Sequence, residues 1–315
     1  MLDLRQLQVL LAVAETGSYT AAAEQLGYTQ PAVSYQMRRL QQQAGTQLAV
    51  RAGRGVQLTQ AGRDLVRSGQ QIFASVRAAE QGLATVAARG NAEVRVAVFK
   101  SCCATLVPAA LARLGGSDPA IRLVLHQAEP DEARGLLRSG EADLGLLCTW
   151  DDEPLPDGED AMLRVPLFED RRCAVLPRGH RLAGRATIDL AELAEERWVM
   201  ESARERFTAG CLARGFAPRI AATVDDQVTI LNLVAAGLGV TLLTELELTA
   251  YADLRLVARP LAPWPLRSTF ALLWPDMARV PAVAALLGAV RACARDLPVG
   301  PHRTGDRTGA GVSGS

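Results

Sequence analysis

Lysine is nearly absent from this sequence of 315 residues, which contains a single one, Lys100. Arginine therefore supplies almost all of the 34 basic side chains, and 34 acidic side chains balance them to a formal net charge of zero. A zero mean still permits an uneven distribution along the chain. Residues 1–65 hold six Arg and four acidic residues, a net charge of +2, which leaves −2 for the remainder. This mild asymmetry has the sign expected of a DNA-binding N-terminal domain.

The N-terminus lacks the basic segment and apolar run that mark a signal peptide, so we expect a cytoplasmic protein with reduced thiols. The longest uncharged stretch, 227–244, contains Asn232, Gly237 and Gly239, and it predicts a buried helix and a strand rather than a membrane span. No membrane partner is therefore expected. The cysteines follow no CxxC or metal-finger spacing; they are Cys102, Cys103, Cys148, Cys173, Cys211 and Cys293.

Motifs of the common enzyme classes are also missing. The sequence contains no GxSxG, HExxH or P-loop pattern, and its three histidines fit neither a catalytic triad nor a metal cluster. Hydrophobic residues make up 49% and charged residues 22%, as in globular proteins with substantial cores. The length predicts two or three domains. We expect a binding protein and no enzyme; a cytoplasmic solute-binding or enzymatic α/β protein is the alternative from a different class.

The N-terminal part has the pattern of a helix-turn-helix. Leucine and alanine at helical spacing predict a helix over 4–16, and a second, short helix is predicted over 21–26 before Gly27. A third is predicted over 30–43, since Pro31 falls in its first turn, where the missing N–H costs nothing. Short helices joined by a tight glycine-containing turn indicate a helix-turn-helix, whose second helix would lie in the major groove of DNA.

A hairpin and a long helix are predicted next. Two extended runs within 48–59 flank Ala52-Gly53-Arg54-Gly55, which indicates a β-hairpin wing with Arg54 at its tip. Apolar and small residues then recur at alternating spacings of four and three, as in a coiled coil. They are Leu65, Gly69, Ile72, Val76, Ala79, Leu83 and Val86. We expect a dimer through this helix, which would bring two recognition helices to two half-sites.

Short apolar strands alternate with amphipathic helices in the rest of the chain, which predicts a mostly parallel sheet with helices on both faces. The predicted strands are 94–99, 121–126, 144–147, 173–176, 198–200, 221–224, 240–243 and 270–274. The predicted helices are 104–114, 132–138, 190–194, 205–214, 227–236 and 280–294. The stretch 299–315 is rich in Gly, Thr, Arg and Ser and is predicted to be a disordered tail.

Four stretches of the N-terminal part stand in a specific order and spacing. They are Leu4-Arg5-Gln6-Leu7, Ala21-Ala22-Ala23-Glu24-Gln25-Leu26, Thr29-Gln30-Pro31-Ala32-Val33-Ser34 and Leu58-Thr59-Gln60-Ala61-Gly62. This pattern closely resembles the DNA-binding head of the LysR-type transcriptional regulators. More diffuse counterparts follow at 140–145, 176–183 and 234–240. The chain departs from the family at 41–44, where an acidic, leucine-containing segment is common, and at Ala49, where an aromatic residue is common. We expect both departures to loosen the packing of the head.

The resemblance implies an α/β protein with a winged helix-turn-helix and a bilobed effector domain similar to periplasmic binding proteins. Its implied domains are a DNA-binding head at 1–60, a coiled-coil linker and dimerisation helix at 61–90, an effector domain at 91–298 and the tail at 299–315. Within the effector domain, lobe I would comprise about 92–162 and 266–298, and lobe II about 163–265. An unknown small-molecule co-inducer would lie between the lobes, and no other cofactor is expected.

The partners that the resemblance implies are DNA, the co-inducer and further copies of the chain. A homotetramer would bind an interrupted palindrome near a promoter, with RNA polymerase as a further possible partner. Effector binding would then alter the arrangement of subunits on DNA, which is an allosteric coupling between two sites. The effector, the target genes and the direction of regulation are left open by the sequence.

Seven residues are predicted to contact DNA because they lie at the start of the recognition helix, on its outward face or at the tip of the wing. They are Thr29, Gln30, Pro31, Ser34, Tyr35, Arg38 and Arg54. The first residues of a recognition helix reach base edges, while Arg side chains and the helix N-terminus meet phosphates. The alternative for each residue is ordinary solvation at the surface.

Eight residues are predicted to bind the effector. The loop after the first strand of the effector domain contributes Lys100, Ser101, Cys102 and Cys103, and family position adds Gln127, Thr149, Ser202 and Asp225. Backbone N–H groups that open a helix favour an anion. A carboxylate-bearing ligand is the common case in the family; Lys100 is compatible with it, whereas Asp225 and Asp226 would disfavour a wholly anionic one.

The neighbouring Cys102 and Cys103 raise a second possibility, a thiol- or metal-responsive regulator of the same architecture. Vicinal cysteines rarely form a disulfide with each other, and small buried cysteines are common in cores. Family members that sense peroxide use two nearby cysteines in the second lobe, and Cys211 has no such neighbour in the sequence. We therefore expect effector control rather than thiol control, and no metal site.

Overall fold

The computed structural model describes residues 2–53, 55–87, 92–115, 121–152, 161–251 and 255–298. Arg54 at the predicted wing tip, the predicted domain boundary at 90–91 and the tail predicted over 299–315 lie outside the described residues. None of the helices in the described ranges is both long and apolar enough to cross a membrane.

The helices and strands follow one another along the chain in three groups. The head and linker contain α1 (Leu4–Thr16), α2 (Tyr19–Leu26), α3 (Gln30–Ala44), β1 (Ala49–Ala52), β2 (Gly55–Leu58) and α4 (Gln60–Ala87). Then come β3 (Ala92–Val98), α5 (Lys100–Ala104), α6 (Leu106–Leu114), β4 (Ile121–Gln127), α7 (Pro130–Ser139), β5 (Leu144–Trp150) and β6 (Leu163–Asp170). The last group is β7 (Arg172–Pro177), β8 (Arg197–Met200), α8 (Glu205–Leu212), β9 (Arg219–Thr223), α9 (Gln227–Ala235), β10 (Thr241–Thr244), α10 (Glu245–Ala250), β11 (Leu256–Pro260), β12 (Arg267–Leu273) and α11 (Pro281–Asp296).

The head is the predicted three-helix unit with a hairpin wing. Its helices end at glycines in the left-handed conformation, as Gly17 and Gly27 show, and Val33, Met37 and Leu40 of α3 are buried in its core. Strands β1 and β2 pair in antiparallel fashion. The Val56 amide donates to the carbonyl of Gly17 at 2.8 Å, which ties the wing to the turn between α1 and α2.

Gln41, at one of the two departures from the family pattern, makes a contact within the head. The Gln41 side-chain oxygen accepts hydrogen bonds from the Leu48 amide at 3.0 Å and the Ala49 amide at 3.3 Å. It thereby satisfies two backbone donors at the start of β1, groups that would otherwise need another partner. The side chain of Gln41 thus joins α3 to the wing.

Helix α4 leaves the head and packs on the effector domain. Gly69 lies against α1, and Ala74 is buried in the core of the first lobe. Arg77 lies over Gly140, whose φ of +79° and missing side chain leave room for the guanidinium, and its Nη1 donates to the carbonyl of Ser139 at 3.3 Å. Ile72 and Leu83 of the predicted seam remain 38% and 71% exposed, so they are available to a second copy of the helix.

The first lobe contains a five-stranded sheet in the order β4-β3-β5-β12-β6. Strand β3 is parallel to β4 and β5, but β12 is antiparallel to β5 and β6. Helices α6 and α11 cover it with Leu106, Ala110, Val283 and Val290, all buried in one core. Strand β6 belongs to this sheet, so the first lobe extends beyond the boundary predicted after residue 162.

The second lobe contains an antiparallel sheet in the order β10-β7-β11 and a parallel pair of β8 and β9. The prediction of a mostly parallel sheet was therefore wrong: the described effector domain has antiparallel pairs in both lobes. The sequence prediction also missed β6, β11 and α10. Pro166 and three charged residues interrupt the apolar pattern of β6, so its hydrophobic alternation is weak.

Candidate DNA interface and effector cleft

Helix α3 presents a polar face to solvent. Thr29 caps it, since its hydroxyl accepts from the Ala32 amide at 3.4 Å, and Pro31 lies in the first turn as predicted. The side-chain amide of Gln30 donates to the Ser34 hydroxyl at 2.9 Å, and the Arg38 Nε donates to the Ser34 backbone carbonyl at 3.3 Å. These bonds align the exposed side chains along one side of the helix, which is the arrangement needed to reach base edges in a major groove.

Tyr35 and Arg39 also lie on the exposed side of α3. Tyr35 is 51% exposed, and the guanidinium carbon of Arg39 lies 6.0 Å from the centre of its ring. Arg51 on β1 is exposed near Tyr19. Arg39 and Arg51 were not among the predicted contacts, although their charge and their place on the recognition helix and the wing were visible in the sequence. The predicted contact of Arg54 lies outside the described residues.

The carboxyl ends of several strands from both lobes meet at a cleft. Lys100 follows β3 and Trp150 ends β5 in the first lobe, while Glu201 follows β8 and Asp225 follows β9 in the second. Ligands of α/β proteins bind at such strand ends. Segments of the two lobes thus meet where the sequence predicts the effector cleft.

Lys100 connects the two lobes. Its ammonium donates to the Glu201 carboxylate at 2.6 Å and to the backbone carbonyl of Asp225 at 2.7 Å. Burial alone would lower the pKa of Lys100, but the hydrogen bond and the negative charge of Glu201 outweigh it and raise that pKa above its ordinary value. Glu201 was missed in the sequence because its partner lies 101 positions away.

A second contact between the lobes involves Arg206 at the start of α8. Its Nη1 donates to both carboxylate oxygens of Asp152, at 2.8 and 3.0 Å, and its guanidinium lies 5.0 Å from the ring centre of Trp150. Asp152 and Trp150 belong to the first lobe and Arg206 to the second. The sequence prediction did not include this group.

The acidic residues at 225 and 226 have structural partners. The Asp225 carboxylate accepts from both the amide and the hydroxyl of Ser202 at 2.7 Å, and these hydrogen bonds lower the pKa of Asp225. The Asp226 carboxylate caps α9 through the Thr229 amide at 2.7 Å, and hydrogen bonding with the side chain and the amide of Thr229 lowers the pKa of Asp226. Because these hydrogen bonds keep both carboxylates ionised, their negative charge still disfavours a wholly anionic ligand.

Beside Lys100 lies a small space between α5, α9 and α10. Lys100, Ser101, Gln227, Glu247 and Tyr251 are among the residues that line it. The Ser101 hydroxyl and the Gln227 side-chain oxygen are buried there, and neither has a hydrogen-bond partner among the residues that the structure describes. Buried polar groups are normally paired, so these two point to a polar ligand or water.

The other predicted effector residues have different surroundings. Thr149 is buried on β5, and Gln127 is exposed at the end of β4. Cys102 was predicted to line the cleft, but it is fully buried in the hydrophobic core of the first lobe. Cys103 is partly buried against the same core. The structure thus brings Lys100, Ser202 and Asp225 together and assigns Cys102 to packing.

Three of the thiols, those of Cys102, Cys173 and Cys211, lack the features of reactive cysteines. Burial raises the pKa of Cys102 well above its usual range and raises the pKa values of Cys173 and Cys211 to about 12. A nucleophilic or redox-sensing cysteine needs the opposite shift, because the thiolate is the reactive form. Among the described residues, no group of three or more His, Cys, Asp or Glu side chains is arranged to hold a metal ion.

A buried ion pair fixes the point where the chain passes between the lobes. Arg267 at the start of β12 donates to the Asp170 carboxylate at 3.0 and 2.8 Å and to the Thr244 hydroxyl at 2.8 Å. Asp170 also accepts from the Leu246 amide at 3.2 Å. Two hydrogen bonds thus join the charges directly, and Thr244 and Leu246 supply further partners of the kind that a buried ion pair needs.

Two family models together match most of the chain. Residues 4–63 match the model described as "Bacterial regulatory helix-turn-helix protein, lysR family", and residues 87–294 match "LysR substrate binding domain". The HTH-type transcriptional regulator ShiR of Corynebacterium glutamicum (strain R) is 33% identical over 250 residues, which cover 77% of this chain and 83% of ShiR. The RuBisCO operon transcriptional regulator of Allochromatium vinosum is 32% identical over 257 residues, covering 78% and 82%.

Solved structures share the fold. A full-length OxyR variant from Pseudomonas aeruginosa has a TM-score of 0.58 at 23% identity, covering 92% of this chain and 95% of that one. At these identities the likeness concerns the fold, including the order of head, linker helix and effector domain.

Proposed function

Because this chain belongs to the LysR family of bacterial transcriptional regulators, we propose that it reads an operator with α3 and the wing under the control of a small molecule bound between the two lobes. The observation that supports this most is the outward face of α3, where Gln30, Ser34 and Arg38 form a hydrogen-bonded row. The proposed DNA contacts are this row together with Thr29, Pro31, Tyr35 and Arg54. The proposed effector contacts are Lys100, Ser101, Thr149, Ser202, Asp225 and Gln127.

Symmetry supports the proposed form of the operator. The exposed Ile72 and Leu83 on α4 fit a dimer through the linker helix, with a tetramer as the larger assembly. Two heads related by a twofold axis would contact an interrupted palindrome. Such a protein acts in the bacterial cytoplasm and has no catalytic activity of its own.

The effect of Arg38→Ala on DNA binding tests the assignment of α3. The operator is first selected from genomic fragments, and affinity is then measured by gel shift on that site and on random DNA at one fixed salt concentration. If Arg38 reads a base, its loss costs about 1–3 kcal/mol on the operator and relaxes specificity at one base pair. Arg122→Ala removes an exposed arginine from the edge strand β4 and serves as the matched control.

Two results would contradict this assignment. Equal losses on operator and random DNA would reduce Arg38 to a phosphate contact, and unchanged binding would remove it from the interface. A wild-type chain that prefers no genomic fragment over random DNA would contradict the operator-binding function itself.

A further inference from the structure

The side chain of Lys100 reaches across the cleft. Its ammonium has two acceptors, the Glu201 carboxylate and the Asp225 carbonyl, and both belong to the opposite lobe. The Ser202 side chain and amide hold the loop after β9 through the Asp225 carboxylate, so the Asp225 carbonyl is oriented toward Lys100. The cation of the first lobe is thus held by a carboxylate that the chain itself supplies.

The neighbourhood of Lys100 is equipped for more than this ion pair. Among the residues that the structure describes, the Ser101 hydroxyl and the side-chain oxygen of Gln227 have no hydrogen-bond partner. Ser101 is 4% exposed and Gln227 is 5% exposed, and both line the same space as Lys100. Yet that space has a volume of only about 10 Å³. This is room for about one water molecule, so a larger ligand needs the lobes to separate or Lys100 to change partner.

We propose that the Lys100–Glu201 ion pair is an internal latch across the cleft, in which the Glu201 carboxylate holds the position that the anionic group of the effector takes over. This deepens the proposed function, on which its regulatory meaning rests. Glu201 competes with the effector for Lys100, and binding of the effector frees the second lobe from this contact. The Ser101 and Gln227 groups then find hydrogen-bond partners on the ligand, which offsets the loss of the ion pair.

Electrostatics supports a contact that exchanges readily. The Lys100 and Glu201 side chains are 35% and 34% exposed, so solvent screens the pair and a competing carboxylate can reach it. Arg206 with Asp152 adds a second ion pair across the cleft, also partly exposed. The buried Arg267–Asp170 pair at the crossing point stays intact throughout, because breaking it would leave an uncompensated buried charge.

The single lysine makes the latch directly observable. In full-length protein made with lysine labelled with ¹³C at Cε and ¹⁵N at Nζ, the only lysine side-chain signal is that of Lys100. Its pH titration is compared in wild type, Glu201→Gln and Asp296→Asn. The last variant makes the same carboxylate-to-amide change in an exposed ion pair with Arg113 and is the matched control. Acetate serves as the anion probe in a second titration of each protein.

The expected results follow from the balance at Lys100. Glu201→Gln removes the carboxylate that holds the ammonium, while burial still opposes the charged form and Glu247 and Tyr251 still favour it, so the pKa of Lys100 falls relative to wild type. Acetate then shifts the Lys100 signal at a concentration about tenfold lower than in wild type, as expected when a charge-assisted competitor is removed. Asp296→Asn behaves as wild type in both titrations.

Three results would overturn the latch. These are an unchanged Lys100 titration in Glu201→Gln, equal changes in Asp296→Asn, or a Glu201→Gln protein whose Lys100 signal does not respond to acetate. Glu201 lies at the surface of the cleft, so folding of the variant is verified by the unchanged fluorescence of the buried Trp198 and Trp274. None of these readings involves DNA, so failure of the latch and failure of operator binding are distinguishable.

Discussion

Replacing Gly62 by alanine should detach the linker helix from the wing. A Cβ at this position would lie 2.9 Å from the carbonyl carbon of Leu48 and far inside van der Waals contact with its oxygen. The atoms that the added methyl would meet belong to the backbone of Leu48, which cannot move aside as a flexible side chain could. Thr59 holds the same junction, since its amide donates to the Leu48 carbonyl at 3.0 Å and its hydroxyl to the Gln47 carbonyl at 2.7 Å. The alanine methyl therefore forces β1 and α4 apart.

The magnitude follows from two opposing effects. Overpacking at a site that cannot relax costs about 1–3 kcal/mol, and loss of the Thr59–Leu48 hydrogen bond costs about 1 kcal/mol more. The better helix propensity of alanine returns up to about 1 kcal/mol. We expect Gly62→Ala to destabilise the head by about 2–3 kcal/mol, which corresponds to about 30- to 150-fold faster exchange of its most protected amides.

Hydrogen exchange followed by mass spectrometry on full-length protein measures this effect in peptides from α1 and β2. Gly82→Ala on the same helix is the control, since a Cβ there meets no atom within 4 Å. It should leave exchange in the head unchanged and slow exchange in α4 through helix propensity alone. If Gly62→Ala and Gly82→Ala gave the same exchange in the head, close contact between β1 and α4 would not be what requires glycine at position 62.

Three further predictions concern the effector domain. Asp170→Asn leaves the Arg267 charge buried without its counter-ion and should destabilise this domain by about 3–5 kcal/mol in tryptophan-monitored denaturation, whereas a loss under about 1 kcal/mol would argue against the pair. Cys102 should resist alkylation at neutral pH because burial raises its thiol pKa, and peroxide should leave operator affinity unchanged; a peroxide-dependent affinity would instead support the thiol-sensing alternative. The lowered pKa of Asp225 stabilises the fold above the ordinary Asp pKa of about 3.9, and this gain disappears as the pH falls through the lowered value. Ser202→Ala removes the hydroxyl donor to Asp225 and keeps the amide donor. Denaturation midpoints between about pH 5 and 2, a range in which such groups titrate, should therefore fall more steeply in wild type than in Ser202→Ala; parallel curves would contradict a stabilising hydrogen bond from the Ser202 hydroxyl.

Local chemistry made the head predictable from sequence. Gly17, Gly27 and Pro31 mark the ends and the start of helices by backbone conformation alone, and the apolar spacing of α3 gives its buried face. Each of these rules involves residues within one or two turns of each other. The four ordered motifs then identified the family.

The cleft was only partly predictable, because its contacts join distant segments. Lys100 stood out as the only lysine, yet its partner Glu201 carries no local pattern that separates it from other surface glutamates. Cys102 and Cys103 attracted attention as neighbours, but which of them enters the core depends on how α5 packs against the rest of the lobe. The antiparallel β12 is buried throughout, and the apolar run of its second half does not reveal strand direction.

Genomic footprinting of the full-length protein measures whether this chain recognises a particular DNA site. We expect protection of two half-sites related by a twofold axis, with weaker protection by Arg38→Ala and wild-type protection by Arg122→Ala. Uniform, sequence-independent protection by the wild-type chain, or none at all, would contradict this expectation.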